Sequence, residues 1–120
     1  MINKPKYHIL NNTQYALNGL KVAIKEEKSF KIELIFFVIL QIFIYFISLE
    51  LAYKMILSIS LLLPLLAELI NSAIERVVDL VTSDIHPLAK DAKDLGSSVV
   101  FVSIIITLLI WSSIFYLKFV

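Results

Sequence analysis

The sequence contains no cysteine, which excludes disulfide bonds, thiolate metal sites and thiol catalysis together. Glycine is almost as scarce, since only Gly19 and Gly96 occur in 120 residues. The phosphate-binding loops of P-loop enzymes and soluble protein kinases need several closely spaced glycines, so neither kind of loop is present. The net charge is only +1 at neutral pH, which gives no reason to expect a nucleic-acid partner.

Hydrophobic residues, by contrast, are abundant. They make up 59% of the chain and the mean hydropathy is +0.87, whereas apolar residues account for about 45–50% of a soluble domain. The sequence therefore predicts one small, all-α integral membrane domain over residues 1–120. We expect no N-terminal signal peptide, because the first apolar run begins after Lys31 and is followed by further apolar runs rather than by a cleavage site.

Apolar runs and their polar boundaries divide the chain into segments. Near the N-terminus, apolar residues recur at helical spacing opposite lysines, which predicts an amphipathic helix on the membrane surface; a solvated helix packed on its own protein fits this pattern equally well. Further along, length and hydropathy predict three transmembrane helices and one polar loop. The predicted segments are a surface helix at about 7–28, spans at about 31–49, 53–81 and 96–118, and a loop at 82–95.

Two features refine the spans. Pro64 lies inside the second span and should kink it or loosen its backbone bonding, because proline has no N–H to donate to the preceding turn. Trp111 and Tyr116 lie toward the end of the third span, where an interfacial aromatic belt is expected.

The basic residues predict the orientation. Nine of the eleven Lys and Arg residues lie in the N-terminal segment or around the 82–95 segment, whereas Lys54 and Lys118 are on the other side. By the positive-inside rule, the N-terminus and the 82–95 segment are cytoplasmic and the C-terminus is outside.

The second span carries a polar stripe. On a helical wheel, its polar residues fall within an arc of roughly 100°, and a carboxylate at bilayer depth costs several kcal/mol unless it faces other helices, a cation or water. The stripe is therefore the first candidate for a functional site. It consists of Glu68, Asn71, Ser72, Glu75 and Asp79.

Phosphoryl transfer to a lipid is one chemistry that suits this stripe. Glu27 and Glu75, from separate segments near the cytoplasmic boundary, have the oxygen ligands that Mg²⁺ prefers. Lys93 can neutralise phosphate charge, and the deeper Glu68 can accept a proton from a lipid hydroxyl, with Asn71 orienting either partner. Two other interpretations remain open from the pattern alone, namely a polar packing seam and a proton or cation path. A lone histidine such as His86 is more often a helix cap than a ligand.

The motifs resemble those of a known family. The strings AELINSAIERVVDLV and AKDAKDLGSSVV are similar to the signature of the prokaryotic diacylglycerol kinases, which are small three-span membrane kinases unrelated to soluble kinases. Tyr15, Gly19, Leu20, the 27–30 stretch and Glu33 match the family in order and spacing, so the resemblance spans essentially the whole chain.

The resemblance implies roles for individual residues. Glu68 would be the general base, Asn71 and Asp79 would belong to the same polar site, and Glu27 and Glu75 would hold the Mg²⁺ that accompanies ATP. The implied ATP contacts are Tyr15, Glu27, Glu75, Asp84, His86, Lys93 and Asp94, with His8 where characterised members carry an arginine. The implied lipid contacts are Ser29, Phe30, Glu33, Glu68 and Ser98, together with the surface helix and the outer part of the last span.

The resemblance also implies an assembly, a location and an activity. The assembly is a homotrimer with active sites between protomers, and the location is a bacterial inner membrane. The activity is ATP- and Mg²⁺-dependent phosphorylation of diacylglycerol to phosphatidate at the cytoplasmic face. Undecaprenol is the acceptor of the sister activity in the same family, and a non-catalytic membrane subunit is the alternative from another class. His8 should make a weaker, pH-dependent phosphate contact than an arginine.

Overall fold

The computed structural model of the chain describes residues 9–120, and within this range it contains five α-helices and no strand. The helices are α1 (Ile9–Glu26), α2 (Lys28–Phe46), α3 (Leu51–Ser60), α4 (Leu62–Val81) and α5 (Pro87–Phe119). Three helical segments are long and apolar enough to cross a membrane: α2, α3 together with α4, and α5. The prediction of an all-α membrane protein with three spans is therefore confirmed.

The N-terminal helix α1 covers most of the predicted 7–28 segment. It ends at Glu26, and Glu27 has an extended backbone (φ −100°, ψ 105°) that turns the chain into α2. Ala23 is the only side chain that α1 buries within the described part of the chain. The position of α1 on a membrane surface remains a prediction.

The first span begins three residues earlier than predicted and ends at Phe46 instead of residue 49. Residues 47–50 connect it to α3, and Glu50 precedes the first turn of α3. Lys118, at the end of α5, donates to Glu50 across a distance of 2.9 Å and holds the pKa of that carboxyl below its usual range. This contact ties the α2–α3 connection to the C-terminal end of α5.

The predicted second span is interrupted at Leu61, where α3 ends and α4 begins. The cause is Pro64, three residues later: it has no N–H to donate to the carbonyl of Ser60 in the preceding turn. Thr107 of α5 donates its hydroxyl to that carbonyl instead, at 3.1 Å. The loosened backbone bonding that the sequence predicts is thus present, and the free carbonyl is bonded to a neighbouring helix.

The predicted loop at 82–95 is wrong for residues 87–95, which form the first turns of α5. The structural reason is the helix start: the His86 side chain accepts from the Leu88 N–H and Pro87 occupies the first turn, where its missing N–H costs nothing. Only residues 82–86 connect α4 to α5. The third span, α5, therefore begins nine residues before the predicted start at 96.

A small core holds together the half of the bundle that contains α3 and the C-terminal ends of α2 and α5. Ile44, Leu57, Leu61 and Ile114 are buried there. Trp111, predicted to lie in an interfacial belt, instead packs against this core and donates its indole N–H to the Ser60 hydroxyl at 3.0 Å. At the other half of the bundle, α4 packs along α5, and this pairing positions the polar stripe.

Candidate functional site

The polar stripe of α4 turns inward, toward the other helices. Glu68, Asn71 and Ser72 are buried, each with 6–7% of its surface exposed, and Glu75 is half-buried one turn further on. Burial of a carboxylate and a carboxamide on a span requires polar partners inside the bundle. The surrounding helices supply some of these partners.

Asn71 lies at the centre of the stripe. Its Nδ2 donates to Glu75 Oε1 at 3.2 Å, and its Oδ1 is buried without a hydrogen-bond partner in the described chain. Gly96 of α5 faces this oxygen so closely that a Cβ at position 96 would collide with it. The close approach of α4 and α5 therefore depends on the glycine, and Asn71 keeps an acceptor available.

Further carboxylates approach Glu68 from other elements. Glu75 and Glu27 are near enough for their negative charges to act on Glu68, and Glu33 of α2 interacts with Glu68 in the same way. Glu33 has a buried Oε2 with no hydrogen-bond partner among residues 9–120. We call Glu27, Glu33, Glu68 and Glu75 the acidic cluster. It brings together four carboxyl groups from the α1–α2 corner, α2 and α4.

One cation contacts this cluster directly. The Arg76 guanidinium donates to Glu27 Oε1 through Nε at 3.0 Å and through Nη2 at 2.8 Å. Sequence reasoning counted Arg76 only among the charges that set orientation. The available signal was that it is the sole arginine of the chain and lies next to Glu75.

Two lysines lie on the first turns of α5, beyond the cluster. Lys93 is paired with Asp79 of α4 at 2.7 Å, and Lys90 is paired with Asp94 at 2.6 Å. The Lys93–Asp79 pair joins two predicted site residues across the α4–α5 interface. The pair places the Lys93 ammonium beside Asp79, the last residue of the polar stripe.

An apolar cleft leads to the site. A cleft of about 870 Å³ is lined by side chains of α1 to α4 and by Ile110, including Leu20, Phe30 and Leu69. A second cleft, of about 690 Å³, shares Leu20 and Leu69 with the first and reaches Glu27, Ser72 and Arg76. Volumes of this size are typical of ligand sites. The hydrocarbon-like surface thus runs up to the acidic cluster.

The model of one protein family, described as prokaryotic diacylglycerol kinase, matches residues 14–115. The chain belongs to the prokaryotic diacylglycerol kinase family. Its relatives include proteins named diacylglycerol kinase. The one from Haemophilus influenzae is 40% identical over 110 residues, which are 91% of this chain and 92% of that protein. The one from Pseudomonas aeruginosa is 36% identical over 106 residues (88% and 86%), and the one from Escherichia coli K12 is 30% identical over 111 residues (92% and 91%).

As a member of this family, the chain brings some of its predicted site residues together and leaves others apart. Glu27, Glu33, Glu68, Asn71 and Glu75 converge within the single chain, and Phe30 is buried beside the apolar cleft. The remaining predicted contacts are exposed on the single chain, namely Tyr15, Ser29, Asp84, His86, Asp94 and Ser98. His8 lies outside the described residues.

The carboxylates suit a metal ion that takes some of its ligands from a bound nucleotide. No group of three or more metal-ligating side chains lies within residues 9–120, so this part of the chain does not form a complete metal cage. Two carboxylates, Glu27 and Glu75, do suit Mg²⁺ when the phosphates of a nucleotide supply further oxygen ligands. The negative charges of Glu27 and Glu75 both act on Glu68, and this repulsion also favours a cation beside them.

Proposed function

We propose that this chain transfers the γ-phosphoryl group of ATP to the hydroxyl of diacylglycerol, with Mg²⁺, at the cytoplasmic face of a bacterial inner membrane. The observation that carries the proposal is the buried Glu68, which lies among carboxylates and a carboxamide. Leu65 and Leu69, on either side of it in α4, line the apolar cleft. Family membership supports the same chemistry, since the relatives are named diacylglycerol kinases. It also favours a kinase over a packing seam or an ion path.

Glu68 is the proposed general base. Its carboxylate accepts the proton of the lipid hydroxyl, which makes the oxygen a better nucleophile toward the γ-phosphorus. Asn71 and Glu33 position the hydroxyl, because each carries a buried oxygen atom that is free to accept a hydrogen bond. The lipid chains remain in the apolar cleft, which is lined almost entirely by hydrocarbon side chains.

The phosphates are proposed to lie on the cytoplasmic side of Glu68. Glu27 and Glu75 would hold the Mg²⁺, which when bound neutralises phosphate charge and orients the terminal phosphoryl group. Lys93 would exchange its pairing with Asp79 for a phosphate oxygen. Positioning and charge neutralisation would then account for most of the rate acceleration.

A homotrimer is part of this proposal. Tyr15, Asp84 and His86 are exposed in the single chain, so an ATP site that uses them with the acidic cluster is best completed by a neighbouring protomer. The large apolar surface of α1 to α5 is available for both lipid and protein contacts. Chemical cross-linking of the purified protein in mixed micelles should therefore yield a trimer.

The test is transfer of γ-³²P from ATP to diacylglycerol and to undecaprenol, presented side by side in mixed micelles with Mg²⁺. Glu68→Gln should lower kcat by about 10²- to 10⁴-fold, because it removes the base but keeps the shape of the side chain. Glu50→Gln is the matched control, since it makes the same chemical change at the opposite end of the bundle. It should retain turnover.

The outcomes separate the alternatives. Label on diacylglycerol that is lost in Glu68→Gln would establish both the acceptor and the base. Label on undecaprenol alone would reassign the acceptor and keep the site. No label on either lipid, from a protein that still forms a trimer, would overturn the proposal.

A further inference from the structure

Arg76 is bonded to a carboxylate that the proposed Mg²⁺ would use. Its Nε and Nη2 both donate to one oxygen of Glu27, and Glu27 is one of the two carboxylates assigned to Mg²⁺. The contact is partly shielded from solvent, because the side chains of Glu27 and Arg76 are 21% and 50% exposed. In this structure, the guanidinium therefore supplies the positive charge beside the acidic cluster.

This contact also joins two elements. Glu27 belongs to the corner between α1 and α2, whereas Arg76 belongs to α4, 49 residues later. Within the described chain, no other side-chain hydrogen bond links that corner to α4. Without a cation, Glu27 would be repelled by Glu68.

We infer that Arg76 is an internal counter-cation of the proposed metal site: it neutralises Glu27 when the site is empty, and a divalent cation must displace it. This inference rests on the proposed function, because it concerns the same carboxylates. Glu26 is the acceptor for the displaced guanidinium, since its Oε1 already lies 3.9 Å from Nη2. Arg76 therefore sets how much divalent cation the site requires.

The direction in which metal affinity changes when Arg76 is removed distinguishes this role from a purely structural one. A positive charge a few ångströms from a divalent cation weakens binding of that cation, and the weakening decreases as salt screens the charges. If Arg76 only held Glu27 in place, its removal would instead loosen a metal ligand and reduce affinity for the metal.

The experiment measures binding of Mn²⁺ to the purified, full-length protein in micelles by electron paramagnetic resonance, with the non-hydrolysable nucleotide AMP-PNP present. Arg76→Gln and Arg76→Met should each tighten Mn²⁺ binding by about 3- to 10-fold at low salt, and the gain should shrink in 0.5 M KCl. Arg76→Lys, which keeps the charge, should remain close to wild type. Lys25→Gln is the matched control, because it removes one exposed positive charge from the end of α1.

Each result has a defined meaning. Weaker or unchanged Mn²⁺ binding in both charge-free variants would overturn the inference, as would a gain of the same size in Lys25→Gln. Loss of assembly in both variants would assign Arg76 a structural role and would overturn it too. Glu27→Gln and Glu75→Gln test the underlying site separately: if both bind Mn²⁺ like wild type, the proposed metal site itself is wrong, whatever Arg76 does.

Discussion

Asn71 fits into this site because Gly96, its neighbour on α5, has no side chain. Gly96 leaves the space on α5 that the Asn71 carboxamide fills, and the next nearest atom to a Cβ at that position would be Asn71 Cγ at 3.4 Å. The same carboxamide donates to Glu75 at 3.2 Å. A substitution that moves Asn71 would therefore also disturb Glu75, a proposed Mg²⁺ ligand.

Gly96→Ala should destabilise the protein by about 1–3 kcal/mol, because the added methyl group overpacks a helix interface. It should also lower kcat more than it raises KM, since Asn71 would move relative to Glu75. Gly19→Ala is the control: no atom lies within 4 Å of its Cβ position, and alanine alone favours a helix over glycine by about 0.5–1 kcal/mol. Thermal unfolding and steady-state kinetics of both variants check the prediction. Equal effects of the two substitutions would contradict it.

The sequence could predict the stripe of α4 but not its partners. Helical periodicity alone places Glu68, Asn71 and Glu75 on one face. The contact of Arg76 with Glu27 joins residues 49 positions apart and depends on the angle of the α1–α2 corner. No spacing rule within one helix encodes that angle.

At the scale of the elements, the break between α3 and α4 is held by α5. Thr107 donates to the Ser60 carbonyl at 3.1 Å, and the Ser60 hydroxyl accepts from Trp111 at 3.0 Å. Pro64 creates the need for the first bond, because it leaves that carbonyl without its usual N–H. The proline, the threonine and the tryptophan thus act as one structural unit.

Thr107→Val should destabilise the assembled protein by about 1–2 kcal/mol, because it keeps the side-chain shape but leaves a buried carbonyl unpaired. Thr107→Ser, which keeps the hydroxyl, should cost less. In a Pro64→Ala background, an N–H becomes available to the carbonyl, so Thr107→Val should then be nearly neutral. Unfolding in mixed micelles by added SDS measures all four free energies of the cycle. An equal cost of Thr107→Val in both backgrounds would show that the two residues are not coupled.

Capping residues and proline predict the helix boundaries correctly, whereas hydropathy alone gives a wrong start for α5. His86 and Pro87 mark the start of α5, but the polar residues that follow suggested a loop up to residue 95. Those residues are helical because a helix projecting beyond the hydrocarbon core can carry charge, here as the Lys90–Asp94 pair one turn apart. Polarity therefore indicated exposure to water rather than absence of a helix.

For the whole molecule, most of the surface of the spans is apolar and faces outward. Only 11% of the most apolar window of α2 and 17% of that of α5 are buried within the described chain, compared with 39% for the α3–α4 segment. Lipid and further protomers are therefore expected to cover α2 and α5. The α3–α4 segment is central, which explains why it carries the buried polar stripe.

Orientation is the property of the whole molecule on which the proposed kinase depends, because ATP is available only on the cytoplasmic side. The positive-inside rule places the 82–86 connection in the cytoplasm and the 47–50 connection outside. Since the chain has no cysteine, Ser83→Cys and Ser48→Cys each introduce a single thiol on one of these connections. A membrane-impermeant maleimide should label Ser48→Cys in intact cells, and should label Ser83→Cys only in inverted vesicles. Labelling of Ser83→Cys in intact cells would place the acidic cluster on the side without ATP, and would contradict the proposed reaction.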